Sequence, residues 1–248
     1  MCFMTQVFTT GCSEEDEYID IENQPSELMQ LYISNNNIDT TSMFLLLNTN
    51  SRTAVDNKYP VFTSEDLEYL SSLTQEEFQD IIDCFNSQLN TNERIEVENI
   101  QDSVYIETFT ILGGHENMNK LISFTQKYME SAQGWDTIES LLPDNLSYKQ
   151  GEIYIQMAVY TDKIARPIYE ELNGYDLSKD QTSLNNNDIE ICKWYLTQRL
   201  AIAGIGISAE AFIDSMTGGV ATPIEAIATG ADLLGIWLDY EVCNHRWH

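Results

Sequence analysis

Residues 188–216, DIEICKWYLTQRLAIAGIGISAEAFIDSM, and residues 222–243, TPIEAIATGADLLGIWLDYEVC, decide the fold class. The first stretch has no proline, keeps a helical pattern to Met216, and meets Gly218 where a helix would stop. The second opens with a strong start signal: Thr222 to cap, Pro223 at the first helical position and Glu225 three residues after the cap. It predicts a helix to about Val242. Two such helices across a short hinge form an antiparallel hairpin, and at about 1.5 Å rise per residue Cys192 and Cys243 fall at the same end. Small residues line both arms: Ala201, Gly204, Ser208 and Ala211 going out, Ala226, Gly230 and Ala231 returning. Glycine inside a helix costs about 1 kcal/mol against alanine, so close packing must offset it.

Working toward the N-terminus, Ser147 can cap a helix running to Leu172, with a kink at Pro167 and a stop at Asn173-Gly174. Leu121, Ile122, Phe124, Tyr128 and Met129 make another helix, stopped near Gly134. Ile95, Val97 and Val104 to Leu112 are β-branched or aromatic and leave room for a small β-hairpin ended by Gly113-Gly114. Thr74-Gln75-Glu76-Glu77 is a capping box, Thr63-Ser64-Glu65-Asp66 approximates one, and Pro25-Ser26 opens a short helix with Leu28, Met29, Leu31 and Tyr32. The expected fold is mainly α: a helical domain over 25–187, with the C-terminal helical hairpin of 188–248 packed on it.

Composition narrows the function classes. Forty Asp and Glu against twelve Lys and Arg give the 248-residue chain a net charge of −28. So acidic a surface repels phosphate backbones, which argues against nucleic acid as a partner. With 43% apolar and 10% aromatic residues, the chain can bury a core.

The first 25 residues read as an address. Met1 to Gly11 carry no charge; after Cys12, six carboxylates stand between Glu14 and Glu22. Thr9-Thr10-Gly11-Cys12 resembles the lipobox of a bacterial lipoprotein, and the acidic run resembles the surface-export signal of lipoproteins from Bacteroides and its relatives. No Lys or Arg precedes the short apolar stretch, which a longer signal beginning upstream of Met1 would account for, and Thr9 stands where the family more often has Leu. The resemblance implies that residues 1–11 are a signal remnant, that Cys12 carries lipid such as palmitate, and that 12–24 form an acidic tether. It also implies an outer-membrane location facing the cell exterior, with outer-membrane lipid as a partner. Thr40, Ser103, Thr137 and Ser215, each following an Asp, resemble O-glycosylation acceptors of the same bacteria.

Of the remaining cysteines, Cys192 and Cys243 are expected to pair, closing a loop of about 50 residues, with Cys84 left as a buried thiol. The weaker alternative is a zinc site of Cys192, Cys243, His245 and His248, whose spacing fits no familiar finger. No catalytic constellation stands out. His115-Glu116 has Asn119 where a metalloprotease helix needs a second His, and Gly204-Ile205-Gly206-Ile207-Ser208 is followed by Glu210 where a nucleophile elbow needs Gly. Asp176, Ser178, Asp180 and Thr182 alternate like calcium ligands but lack the turn Gly and closing Glu. No cofactor is called for. Tyr148, Tyr154, Tyr160, Tyr169, Trp135, Trp194, Trp237 and Trp247 read mainly as core, with an aromatic ligand platform as the sharper alternative.

These observations favour a lipid-anchored surface lipoprotein with a non-enzymatic binding or accessory role toward a glycan, peptide or protein. The alternative is a membrane-active, bacteriocin-like helical hairpin, against which stand Glu210, Asp214, Glu225 and Asp232. A hydrolase with a site scattered along the chain is the third.

Overall fold

The computed structural model describes residues 24–37, 61–174, 186–217 and 223–244. Among them the fold is mainly α, with no strand. The helices are α1 (Gln24–Asn36), α2 (Ser64–Ser72), α3 (Gln75–Ser87), α4 (Thr91–Leu112), α5 (His115–Met129), α6 (Trp135–Leu141), α7 (Tyr148–Tyr160), α8 (Arg166–Gly174), α9 (Asn186–Thr217) and α10 (Pro223–Cys243). The two C-terminal helices lie at the expected places and pack on each other.

Short-range signals set most of the starts. Thr63 with Asp66, Thr74 with Glu77, Asn90 with Glu93 and Ser147 with Gln150 all form reciprocal capping boxes. Each satisfies backbone N–H groups that the first helical turn would otherwise leave unpaired.

The Asn90 box explains why the expected β-hairpin is absent. Residues 91–112 form one continuous helix, closed by Gly113 in the left-handed region at φ 82°. Ile95 and Ile106 point to solvent, so they do not build a strand's buried face, while Leu112 reaches the core. The helix penalty of β-branched residues is only tenths of a kcal/mol each. A good cap at one end, a glycine at the other and packing against α9 outweigh it.

Helix α7 is the central post. Ile153, Tyr154, Ile155, Met157, Ala158, Val159 and Tyr160 are all buried, and α1, α4, α5 and α9 surround the helix. A helix that is buried all round needs no polar stripe. The long helix expected to bend at Pro167 instead widens just before it. Thr161–Ala165 form a π turn, in which the Arg166 N–H bonds the Thr161 carbonyl. Proline cannot donate the next helical bond, and the wide turn carries the chain into α8.

The small residue at 204 serves a contact different from the one expected. A Cβ there would stand 2.3 Å from Cε1 and 2.5 Å from Cδ1 of Tyr160, so the close approach it permits is to α7. That ring is fully buried and donates its hydroxyl to the Leu200 carbonyl at 2.8 Å. Gly204→Ala is therefore expected to destabilise by about 1–3 kcal/mol in urea denaturation. Helix propensity alone would stabilise the variant by about 1 kcal/mol, so the sign of the change decides whether Tyr160 holds its place.

Candidate functional site

Polar groups meet deep in the fold at the π turn. Asp162 lies within that turn, and its side chain is only 1% exposed. Its Oδ2 accepts the hydroxyl of Tyr32 from α1 at 2.6 Å and that of Tyr128 from α5 at 2.8 Å. Its Oδ1 faces the Arg166 guanidinium at 3.4 Å. Burying a carboxylate is costly unless it is paired and hydrogen-bonded, and here it is both.

Arg166 also closes the end of α5. Its Nη1 donates to the carbonyls of Met129 (2.8 Å) and Ser131 (2.6 Å), and its Nη2 to that of Tyr128 (2.8 Å). Tyr128 and Met129 belong to the last turn of α5, where the helix leaves carbonyls without a partner four residues on, and Ser131 follows it; the Tyr128 carbonyl also accepts the Ser131 N–H at 3.2 Å. The guanidinium also stands over the Tyr128 ring, 5.1 Å from its centroid. Tyr32 accepts from Asn36 Nδ2, and Tyr128 accepts from the Gly134 N–H.

Burial raises the pKa of both hydroxyls above the ordinary tyrosine value, with the nearby Asp162 adding to it; Tyr128 is pushed up to about 12. Both phenols are therefore neutral donors at physiological pH and supply no nucleophile. The carboxylate is taken up by two hydroxyls and a guanidinium, and the two terminal nitrogens of the guanidinium by three carbonyls, while its Nε is buried without a hydrogen-bond partner. The cluster locks α1, α5 and α8 together around the π turn rather than presenting a group to a substrate. Asp162→Asn keeps the shape but turns an amide toward Arg166. It is expected to cost about 2–3 kcal/mol, the scale of a hydrogen bond to a charged group. Chemical denaturation measures it, and an unchanged midpoint would remove the lock from the account of stability.

Cys192 and Cys243 stand as expected, with sulfurs 1.99 Å apart, the bonding distance of a disulfide, and Cα atoms 5.8 Å apart. A covalent pair leaves no thiolates there for zinc, and His245 and His248 lie outside the described residues. Among the described residues, no group of three or more His, Cys, Asp or Glu is placed to hold a metal ion.

Cys84, expected to be buried, is exposed. Phe78, Ile82 and Phe85 define the inner face of α3, and position 84 falls about 200° around the helix from Ile82. Cys12 and Thr40 lie outside the described residues. Ser103 is exposed on α4, Thr137 is half-buried on α6, and Ser215 lies in α9.

The aromatic residues do not assemble into one platform. Tyr154, Tyr160 and Trp237 are core, with Phe124 edge-on to Tyr154 at 5.0 Å and Phe78 at 6.0 Å from Trp237. Trp135, Tyr148 and Tyr169 are half-buried, Trp194 is exposed, and Trp247 is outside the described residues. Among the described residues, no helix is long and apolar enough to cross a membrane.

The lock at Asp162 is the feature that sequence reasoning missed. Its one local signal is an acid and a base four residues apart, Asp162 and Arg166, in a stretch otherwise mostly apolar from Ile153 to Ile168. No protein-family model, no curated protein and no solved structure matches the chain.

Proposed function

We propose that the protein is a lipid-anchored lipoprotein of the cell surface with a non-enzymatic binding role. The Cys192–Cys243 pair carries this reading. Disulfides persist in oxidising compartments and are rare in the cytosol, so the pair supports an exported chain. Thr9-Thr10-Gly11-Cys12 and the acids from Glu14 to Glu22 support the same address. With Cys12 in the membrane, the chain to Gln24 at the start of α1 would reach at most about 40 Å, holding the body close to the lipid surface.

At the Asp162 cluster the carboxylate and both hydroxyls are engaged within the fold, so this cluster is read as structural and is given no part in the proposed role. The ligand classes are a glycan, a peptide or a partner protein at that surface.

Radiolabelled palmitate supplied to a Bacteroides host tests the anchor. Label is expected in the natural chain and absent in Cys12→Ala, and protease added to intact cells is expected to digest the labelled protein. An unlabelled cytosolic chain with reduced Cys192 and Cys243 would overturn the address. Purified protein is expected to bind on glycan or peptide arrays without turning over what it binds; turnover would overturn the non-enzymatic part.

A further inference from the structure

Three residues of α1, each four positions from the last, meet separate receivers in the body of the fold. Gln24 Nε2 donates to the Leu146 carbonyl at 3.0 Å. Leu28 fills a notch at Gly151, where a Cβ would stand 2.7 Å from the Leu28 Cδ1. Tyr32 donates its hydroxyl to Asp162. Asn36 continues the same ridge, and its Nδ2 donates to the Tyr32 hydroxyl at 3.2 Å. Leu28 and Tyr32 are buried, while Ser26, Glu27, Gln30 and Ser34 on the outer side are exposed.

The receiving half is complete without α1. Asp162 keeps the Tyr128 hydroxyl and the Arg166 guanidinium, and Tyr128 keeps the Gly134 N–H. The notch at Gly151 belongs to α7. Such a seat is organised before its occupant arrives, which lowers the cost of binding. A long stretch of chain separates α1 from α2. The helix therefore holds its seat as a tethered ligand does, at an effective concentration of about millimolar.

The occupant is poorly matched in charge. Burial first, then the carboxylates of Glu152 and Glu27, raise the Tyr148 hydroxyl above its ordinary pKa. Glu27 of α1 and Glu152 of α7 thus stand near one hydroxyl with the same sign, and Lys149 offsets part of the charge at Glu152. Helix α1 contains no Lys or Arg, and the whole chain carries −28.

We propose that this seat is a helix-binding groove whose resident is α1, displaceable by a peptide helix that repeats Gln24, Leu28 and Tyr32 and carries a base in place of Glu27. The partner class is an amphipathic basic helix with Leu and Tyr one turn apart, drawn by the acidic chain. This inference stands apart from the role proposed above and requires neither the anchor nor a surface ligand.

The probe is a fluorescein-labelled peptide of residues 23–37 with Glu27→Lys, read by anisotropy against the full chain. In the natural chain α1 competes and binding is weak. Leu28→Asp with Tyr32→Phe in the full chain loosens α1. That variant is expected to bind the probe more than about tenfold tighter, because its resident has lost a hydrogen bond to a charged group. Tyr32→Ala in the probe should abolish binding. A probe that keeps Glu27 should bind severalfold more weakly, by a margin that shrinks as NaCl rises toward about 0.5 M. Gly151→Ala in the loosened chain should reject the probe and accept one carrying Leu28→Ala, whose smaller side chain leaves room for the new methyl. Should the double variant lose its circular dichroism, Tyr32→Phe alone is read, with a severalfold gain expected.

A loosened chain with intact circular dichroism that leaves the probe unbound at about 1 mM overturns the inference. So does equal binding to natural and loosened chains, binding indifferent to Tyr32→Ala in the probe, or a Lys probe no tighter than the Glu27 one.

Discussion

Raising the pH from about 10 to 12 should unfold the protein in a single steep transition. The tyrosine hydroxyls Tyr32, Tyr128, Tyr154 and Tyr160 are all raised above the ordinary value, with burial the first cause in each; Tyr128 and Tyr154 are pushed up to about 12. Tyr148, Tyr169 and Tyr240 move in the same direction for the same leading reason. A raised folded-state pKa means that the fold favours the protonated phenol. Its contribution is complete below pH 10, where the unfolded chain is protonated too. Above pH 10 the unfolded chain loses protons that the folded one keeps, so stability falls as pH rises through the folded pKa.

Each such tyrosine removes about 1.4 kcal/mol per pH unit in that window. Four of them remove about 5 kcal/mol by pH 11, comparable with the roughly 5–15 kcal/mol total stability of a domain. Absorbance near 295 nm follows phenolate formation, and circular dichroism at 222 nm follows the helices. The two signals should move together. Tyrosines that titrate around pH 10 while the helices stay intact would show that these hydroxyls reach water.

Breaking the Cys192–Cys243 bridge should cost about 4 kcal/mol, the chain-entropy value for a loop of this size. The bridge spans 51 residues and ties the start of α9 to the end of α10, and Cys192 itself is buried. Its loss frees both helix ends from each other while the hinge at the far end of the pair still joins them. The denaturation midpoint of the natural chain with and without dithiothreitol, and of Cys192→Ser with Cys243→Ser, gives the number. Agreement between reduction and the double variant assigns the loss to the bond itself. No shift in either case would mean that strain the bond imposes on the folded state offsets the entropy it removes from the unfolded chain.

Local features of the fold were readable in the sequence, and long-range ones were not. The caps at Thr63 and Thr74 are read from an acid three residues on and that at Ser147 from its residue type, and all three form. Pro223 opens α10 for the same kind of reason. The cap at Asn90 went unrecognised because Ile95, Val97 and the residues after Val104 carry strand preference, and preference yields to caps and packing. The pairing of Cys192 with Cys243 could be anticipated from two helix lengths and a hinge. The contact of Gly204 with Tyr160 joins helices that no local pattern relates, and the Asp162 lock draws on α1, α5 and the π turn at once. The burial of Cys84 failed on a matter of angle: the period of α3 places it opposite Ile82.

The hydrogen bond from Tyr32 to Asp162 joins residues 130 positions apart, and α1 is further held where Gln24 donates to the Leu146 carbonyl and Leu28 fills the notch at Gly151. On a ribosome adding 5–20 residues per second, roughly 6–26 s pass between synthesis of Tyr32 and of the aspartate that receives it. The first described helix to leave the tunnel therefore has no seat until most of the chain has followed. Leu28 and Tyr32, buried in the finished protein, must wait that interval in water, in the grip of a chaperone, or against temporary neighbours.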